Sequence, residues 1–167
     1  VVCARRLESE IRRIGPQYVA AFVAEPVVGS TVGGLHPPAE YWPIIREICS
    51  KYDVLLIADE IMTGFGRTGK PFCVNHWNVT PDIICTATFG ANRLKLAEYG
   101  LSDVKAINRK LARLAKEAAE GKALVAGDVG PTGRFVSPFG PLDFEEAVDI
   151  FKEQIEGLIA GGVDLLV

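Results

Sequence analysis

Apolar and polar positions along this chain repeat with two periods, and the switches between them mark out its elements. Val1–Ile14 is charged and amphipathic at helical spacing, and Gly15-Pro16 cannot continue it. Tyr18–Ala24 is a continuous apolar run, read as a buried strand. The loop Pro26–Gly34 follows, and Pro37-Pro38 suits the start of a helix over about Glu40–Tyr52. Val54–Ala58 reads as the second buried strand. After a glycine-rich, aromatic connection over Thr63–Asn78, Ile83–Ala87 reads as the third.

Asn92–Glu120 has helical spacing with a break at Gly100. Ser102 is placed to cap the second piece and Gly121 to end it. Leu124–Ala126 is the fourth strand. Asp143 can cap a helix over Phe144–Ala160, which Gly161-Gly162 terminates before a fifth strand at Val163–Val167.

Strands separated regularly by helices predict βαβ units and a parallel α/β sheet. The favoured order is 1-2-3-4-5, as in a half-barrel or a flavodoxin-like sheet, in a single domain over residues 1–167. The first three strands are apolar on both faces and so need cover on both. The short, charged first helix is a poor cover, so a second copy of the chain is expected to pack there as a homodimer.

Composition narrows the partners. The chain has 167 residues and a net charge of −3. Residues 1–87 carry 8 basic and 9 acidic groups, and residues 88–167 carry 10 and 12. Neither half is basic, which argues against nucleic acid or an anionic membrane as partner. The longest apolar runs are strand-sized, well short of the ~20 residues that span a bilayer. Cys3, Cys49, Cys73 and Cys85 form no CxxC pair and read as reduced thiols of a soluble, recombinant, cytoplasmic protein. No signal peptide is evident. The chain opens at Val1 without a methionine and stops at Val167 inside an apolar run, and both ends read as cut from something longer.

In a parallel sheet, ligands bind beyond the carboxyl ends of the strands. The polar residues there are Glu25, Asp59, Glu60, Thr88 and Asp128. Short polar residues also simply end strands and begin turns. Asp59-Glu60 stands out, because two adjacent carboxylates follow five apolar residues; one could hold a protonated ring nitrogen or a cationic substrate. Gly64-Phe65-Gly66-Arg67-Thr68-Gly69 neither opens a helix after a strand nor ends as a P-loop does. His36 and His76 lack partners at metal-ligand spacing.

Glu25-Pro26-Val27, Gly34-Leu35-His36-Pro37-Pro38 and the run Asp59-Glu60-Ile61-Met62-Thr63-Gly64-Phe65-Gly66-Arg67-Thr68-Gly69 resemble the large domain of class III pyridoxal-phosphate aminotransferases, across about residues 1–87. The resemblance implies that Asp59 pairs with the pyridine nitrogen of the cofactor, that Ile61 packs on its ring, and that Glu25 lies at the pocket edge. It also implies a Schiff-base lysine at the end of the Pro-Asp-Ile strand, where Thr88 stands. A threonine hydroxyl cannot form that imine link. Lys95 lies on the next helix and is no substitute. The family's phosphate-binding segment and small C-terminal domain have no counterpart here.

From about Thr88 the resemblance changes. Thr88-Phe89-Gly90-Ala91-Asn92-Arg93-Leu94-Lys95-Leu96, Asp128-Val129-Gly130-Pro131-Thr132-Gly133, Ser137-Pro138-Phe139-Gly140-Pro141-Leu142 and Gly161-Gly162-Val163-Asp164-Leu165-Leu166 resemble the homocysteine-binding TIM barrel of cobalamin-dependent methionine synthase. This implies that Thr88, Asn92 and Asp128 help line a homocysteine pocket. That family's zinc is held by cysteines on later strands, so no metal is expected. The join falls within Cys85–Thr88.

Taken together, these readings lead to an engineered or recombined chimera with no catalytic residue, no enzymatic activity and no cofactor expected. The alternatives are weak noncovalent binding of pyridoxal phosphate, or a residual transaminase or homocysteine methyltransferase type of site.

Overall fold

The computed structural model describes residues 1–29 and 31–167; residue 30, inside the expected loop Pro26–Gly34, lies outside the described residues. Among the described residues, five α-helices and five strands follow in the order α1 (Val2–Ile14), β1 (Ala21–Ala24), α2 (Tyr41–Tyr52), β2 (Leu55–Ala58), β3 (Ile83–Cys85), α3 (Arg93–Ala97), α4 (Val104–Ala119), β4 (Leu124–Gly127), α5 (Phe144–Gly161) and β5 (Leu165–Leu166), with the 3-10 turn Cys73–Trp77 between β2 and β3. The strands form one all-parallel sheet in the order β1-β2-β3-β4-β5, as the alternation predicts. The chain divides into two compact units, Val1–Cys85 and Thr86–Val167. No helix of the described residues is long and apolar enough to cross a membrane.

In the first unit, Gly15 at φ 101° ends α1, and Pro16–Tyr18 turns as a short 3-10 helix. Tyr18 N–H donates to Gly15 C=O and Val19 N–H to Pro16 C=O. These turn bonds keep Tyr18–Ala20 out of the strand, so β1 begins at Ala21, three residues later than the apolar run predicts. Packing sorts the two faces of the sheet. Ala21 is in register with Leu55 and Val23 with Ile57. On that face Val23 is 56% exposed and Leu55 46%. Leu56 and Ala58 point the other way and are fully buried. A continuous apolar run therefore does not make β1 a buried strand within this unit.

One polar joint locks α2, β2 and the approach to β3 together. Asp82 Oδ2 accepts from Leu56 N–H at 2.7 Å and from Arg46 Nη1 at 2.7 Å, while Asp82 N–H donates to Leu56 C=O at 2.9 Å.

The second unit repeats that joint with different residues. Asp164 Oδ2 accepts from Val125 N–H and Lys116 Nζ, each at 2.7 Å, and Asp164 N–H donates to Val125 C=O at 2.9 Å. Asp103, not Ser102, caps α4, its Oδ1 accepting from Ala106 N–H at 3.0 Å. The N-cap falls one residue later than expected because α4 itself starts at Val104. Asp143 caps α5 as expected, accepting from Glu145 and Glu146 N–H. Helices α4 and α5 pack almost backbone to backbone. A Cβ placed on Gly157 would stand 2.8 Å from Lys105 C=O, and one on Gly161 would stand 2.4 Å from Ala112 Cβ.

Candidate functional site

The register of β1 and β2 carries Glu25 and Asp59 to adjacent strand tips. Ala24 pairs with Ala58, and Asp59 N–H donates to Ala24 C=O at 3.0 Å. Asp59 Oδ1 accepts from Ile61 N–H at 3.2 Å, so the residue expected to face a bound ring lies two positions after the carboxylate and is tied to it in one turn. Glu25 Oε2 accepts from Gly29 N–H at 2.8 Å. Trp42 Nε1 donates to Pro26 C=O at 3.2 Å and fixes the start of that loop. Glu25 also borders an apolar cavity of about 290 Å³, with Cys3, Val28, Leu35, His36 and Tyr41 among its lining residues.

Burial pushes the Asp59 carboxyl above the usual carboxylate range, the Ile61 amide pulls it partly back, and the nearby Glu25 charge raises it further. Two carboxylates in this position favour a cation between or beside them. The structure thus brings together Glu25, Asp59 and Ile61.

Glu60 does something else. Of the adjacent pair, only Asp59 stays at the tip, while Glu60 turns inward and is fully buried. Its Oε2 accepts from Thr63 Oγ1 at 2.7 Å and its Oε1 from Val74 N–H at 2.9 Å. It ties the connection after β2 to the 3-10 turn Cys73–Trp77. Gly64 is required beside it, since a Cβ there would lie 2.9 Å from Glu60 Cβ and C=O. The run Gly64–Gly69 is a set of tight turns, with Phe65 N–H donating to Pro71 C=O and Gly69 N–H to Gly66 C=O. His76 Nε2 bonds Thr68 C=O at 2.8 Å.

Desolvation raises the Glu60 carboxyl above its ordinary value, and its hydrogen bonds offset this only in part. A folded-state pKa above the unfolded one means the folded state binds the extra proton. Stability therefore falls as pH rises from the ordinary glutamate value through the raised one. Glu60→Gln removes that pH dependence and keeps an acceptor, so its cost stays within about 1 kcal/mol. Glu60→Ala leaves Thr63 and Val74 without their buried partner and should cost about 2–3 kcal/mol. Urea titrations of both variants at acidic and neutral pH check this.

Thr88, Asn92 and Asp128 fall in the second unit and sit in a buried polar web. Thr88 is fully buried. Its Oγ1 donates to Asp128 C=O at 2.7 Å and lies 2.6 Å from Thr86 Oγ1, which accepts from Asp128 N–H at 2.9 Å. Gln154 Nε2 donates to Thr88 C=O at 2.7 Å. Asn92 Oδ1 caps α3 by accepting from Lys95 N–H at 3.1 Å, and its Nδ2 donates to Pro131 C=O at 3.3 Å. These side chains hold the loops after Thr88 and after β4. Asn108 and Gln154, both fully buried, belong to the same unit and went unnoticed at the sequence level. A polar residue on the inward stripe of an amphipathic helix was their only signal. Among the described residues, no group of three or more His, Cys, Asp or Glu could hold a metal ion.

Comparison with known proteins settles the family. The class-III aminotransferase model matches residues 1–106, and the homocysteine S-methyltransferase model matches residues 77–167. The chain belongs to both families. The two matches overlap over residues 77–106, around the boundary between the compact units.

Among curated relatives, the uncharacterized aminotransferase YodT of Bacillus subtilis is 43% identical over 101 residues, 60% of this chain and 23% of that protein. Diaminobutyrate–2-oxoglutarate transaminase of Halomonas elongata is 52% identical over 51% of this chain and 18% of its own. Putrescine–pyruvate aminotransferase of Pseudomonas aeruginosa is 49% identical over 50% and 18%. A solved amine transaminase from an uncultivated Pseudomonas species, in its PLP-bound form, is 50% identical over 49% of this chain and 18% of that one, with a TM-score of 0.47. The chain thus spans 18–23% of the length of these curated relatives.

These matches correct three expectations. The relatives are transaminases, which overturns the expectation of a chain without catalytic activity and fits the residual-transaminase alternative better. The same relatives overturn the expectation that it is no enzyme. The expectation of no cofactor falls too, because the matched family is that of pyridoxal-phosphate aminotransferases.

Proposed function

We propose that the chain forms a partial aminotransferase site that holds pyridoxal phosphate noncovalently at Asp59 and supports slow amino-group transfer. The observation that carries this reading is the paired tips: Asp59 and Glu25 side by side, with the Asp59 carboxyl raised by burial and by the Glu25 charge. A protonated pyridine nitrogen placed there relieves both penalties. When bound, the cofactor supplies an electron sink for breaking a bond at the amino-bearing carbon. Asp59 would keep the ring nitrogen protonated, Ile61 would wall one face of the ring, and Glu25 would favour a cationic amine at the pocket edge. Thr88 contributes no covalent link, so the cofactor exchanges freely with solvent.

A second reading rests on the match of residues 77–167 to homocysteine S-methyltransferases. In it, Thr88, Asn92 and Asp128 shape a homocysteine-type pocket by fixing its two loops. A homodimer belongs to the proposal as well, with the exposed Val23 and Leu55 face as the surface that a second copy would cover. Light scattering should give twice the chain mass at high concentration; a strict monomer contradicts this part. A cytoplasmic setting fits the four free thiols.

Titration with pyridoxal phosphate, followed by absorbance, tests the main reading. The expected result is saturable binding that weakens about tenfold or more in Asp59→Ala, about 1.4 kcal/mol per factor of ten. An amine donor should then slowly discharge the cofactor's absorbance in the unaltered protein. Binding that is equal in Asp59→Ala rejects the site.

A further inference from the structure

The second unit holds a cavity of about 290 Å³ bordered by Gly90, Lys95, Glu98, Thr132, Gly133 and Arg134. It draws on the start of α3 and the loop after β4, the edge of a parallel sheet where ligands collect. Two cations line it. Among the described residues, neither Lys95 nor Arg134 joins an ion pair. Lys95 leaves Glu98 unpaired although three residues apart is a favourable helix spacing. Instead its ammonium stands over the Phe89 ring, 4.7 Å from the centroid.

The shaft of Lys95 runs between two glycines. A Cβ on Gly90 would be 4.0 Å from Lys95 Cδ, and one on Gly133 would be 3.9 Å from Lys95 Cε. Gly133 has φ 80°, a conformation that turns the loop at this point. Thr132 Oγ1 closes the turn by accepting from Arg134 N–H at 3.2 Å, which sets where the Arg134 side chain departs. The cavity therefore has a formal charge of +1 from its lining, in a chain whose net charge is −3.

We propose that this cavity is a binding site for a small oxyanion, a carboxylate or a phosphate monoester, gripped by Lys95 and Arg134. Lysine offers a point charge and arginine a planar fork, a pairing that suits an oxyanion with two or more acceptor oxygens. The anion replaces the Phe89 ring as the partner of the Lys95 ammonium. The site uses neither Asp59 nor the buried Thr88–Asp128 web, so it stands or falls independently of the cofactor reading.

The test is a titration of the full chain with inorganic phosphate and, separately, with succinate, at constant ionic strength and followed by amide NMR shifts. Saturable shifts at Gly90, Gly133 and Arg134 are expected, with affinity about fivefold or more weaker in Lys95→Gln and in Arg134→Gln. Lys152→Gln, in a different surface groove, should leave the affinity unchanged. Tighter binding of phosphate assigns the site to phosphate monoesters, and tighter binding of succinate assigns it to carboxylates. Shifts that do not saturate, or that persist equally in both variants, overturn the proposal. Arg134 is exposed on a loop, so its variant keeps the test valid if Lys95→Gln perturbs α3.

Discussion

Thr88→Lys is expected to cost about 3–5 kcal/mol of stability and to create no covalent anchor for the cofactor. The resemblance to class III aminotransferases implies a lysine where Thr88 stands, which makes this the natural repair to attempt. Its side chain, however, is fully buried, and its hydroxyl donates to Asp128 C=O while bonding Thr86. A lysine there would bury an ammonium with one carbonyl to receive three donors and would displace the bond that joins the two strand tips. Urea denaturation reads the loss. Borohydride reduction in the presence of pyridoxal phosphate, followed by peptide mapping, reads the anchor. A variant as stable as the parent, with one dominant adduct at position 88, would show that the site keeps more of its ancestral shape than the buried web allows.

Gly161→Val should be as damaging, at about 3 kcal/mol or more, for a different reason. The Cβ alone would meet Ala112 Cβ at 2.4 Å and Arg109 C=O at 2.8 Å, so α5 must move away from α4 along its whole contact. Gly161→Ala gains up to about 1 kcal/mol of helix propensity yet still clashes, and should lose about 1–2 kcal/mol net. Ala160→Val, one residue earlier on the exposed side, should change stability by about 0.5 kcal/mol or less. Thermal melts of the three variants separate crowding from propensity. If Gly161→Val melts with the parent, the close approach of α4 and α5 is wrong.

Much of this arrangement is legible in the sequence, because alternation of helix and strand periods fixes a parallel order wherever strands neighbour one another in the chain. The helices α1, α2 and α5 fall within a residue or two of their expected limits. The errors lie where a local bond overrides the pattern. Tyr18–Ala20 is apolar enough for a strand, but Pro16 sets up a 3-10 turn first. Ser102 is a good capping residue, but α4 starts at Val104, so Asp103 stands next to its first turn and caps it. At the site, the Asp59-Glu60 pair is visible as two carboxylates after a strand, yet a strand tip sends consecutive side chains opposite ways. Only the structure says that one stays half-buried at the tip and the other clamps the loop. Asn108 and Gln154 have no motif around them and emerge only from burial.

The paired aspartates explain how one sheet can serve segments of two families. Asp82 and Asp164 each precede a strand, bond the same two atoms of a neighbouring strand residue, and take a cation from a helix, Arg46 in one unit and Lys116 in the other. Each segment brings its own copy of the same strand-starting joint. Strand geometry is therefore common currency between them, while the chemistry beyond the tips is not.

A crystal structure grown with pyridoxal phosphate tests the central claim most directly. The account predicts the cofactor ring beside Ile61, its nitrogen within hydrogen-bonding distance of the Asp59 carboxylate and with no bond to any lysine. A ring bound away from Asp59, or covalently held by Lys95 or Lys70, would contradict it.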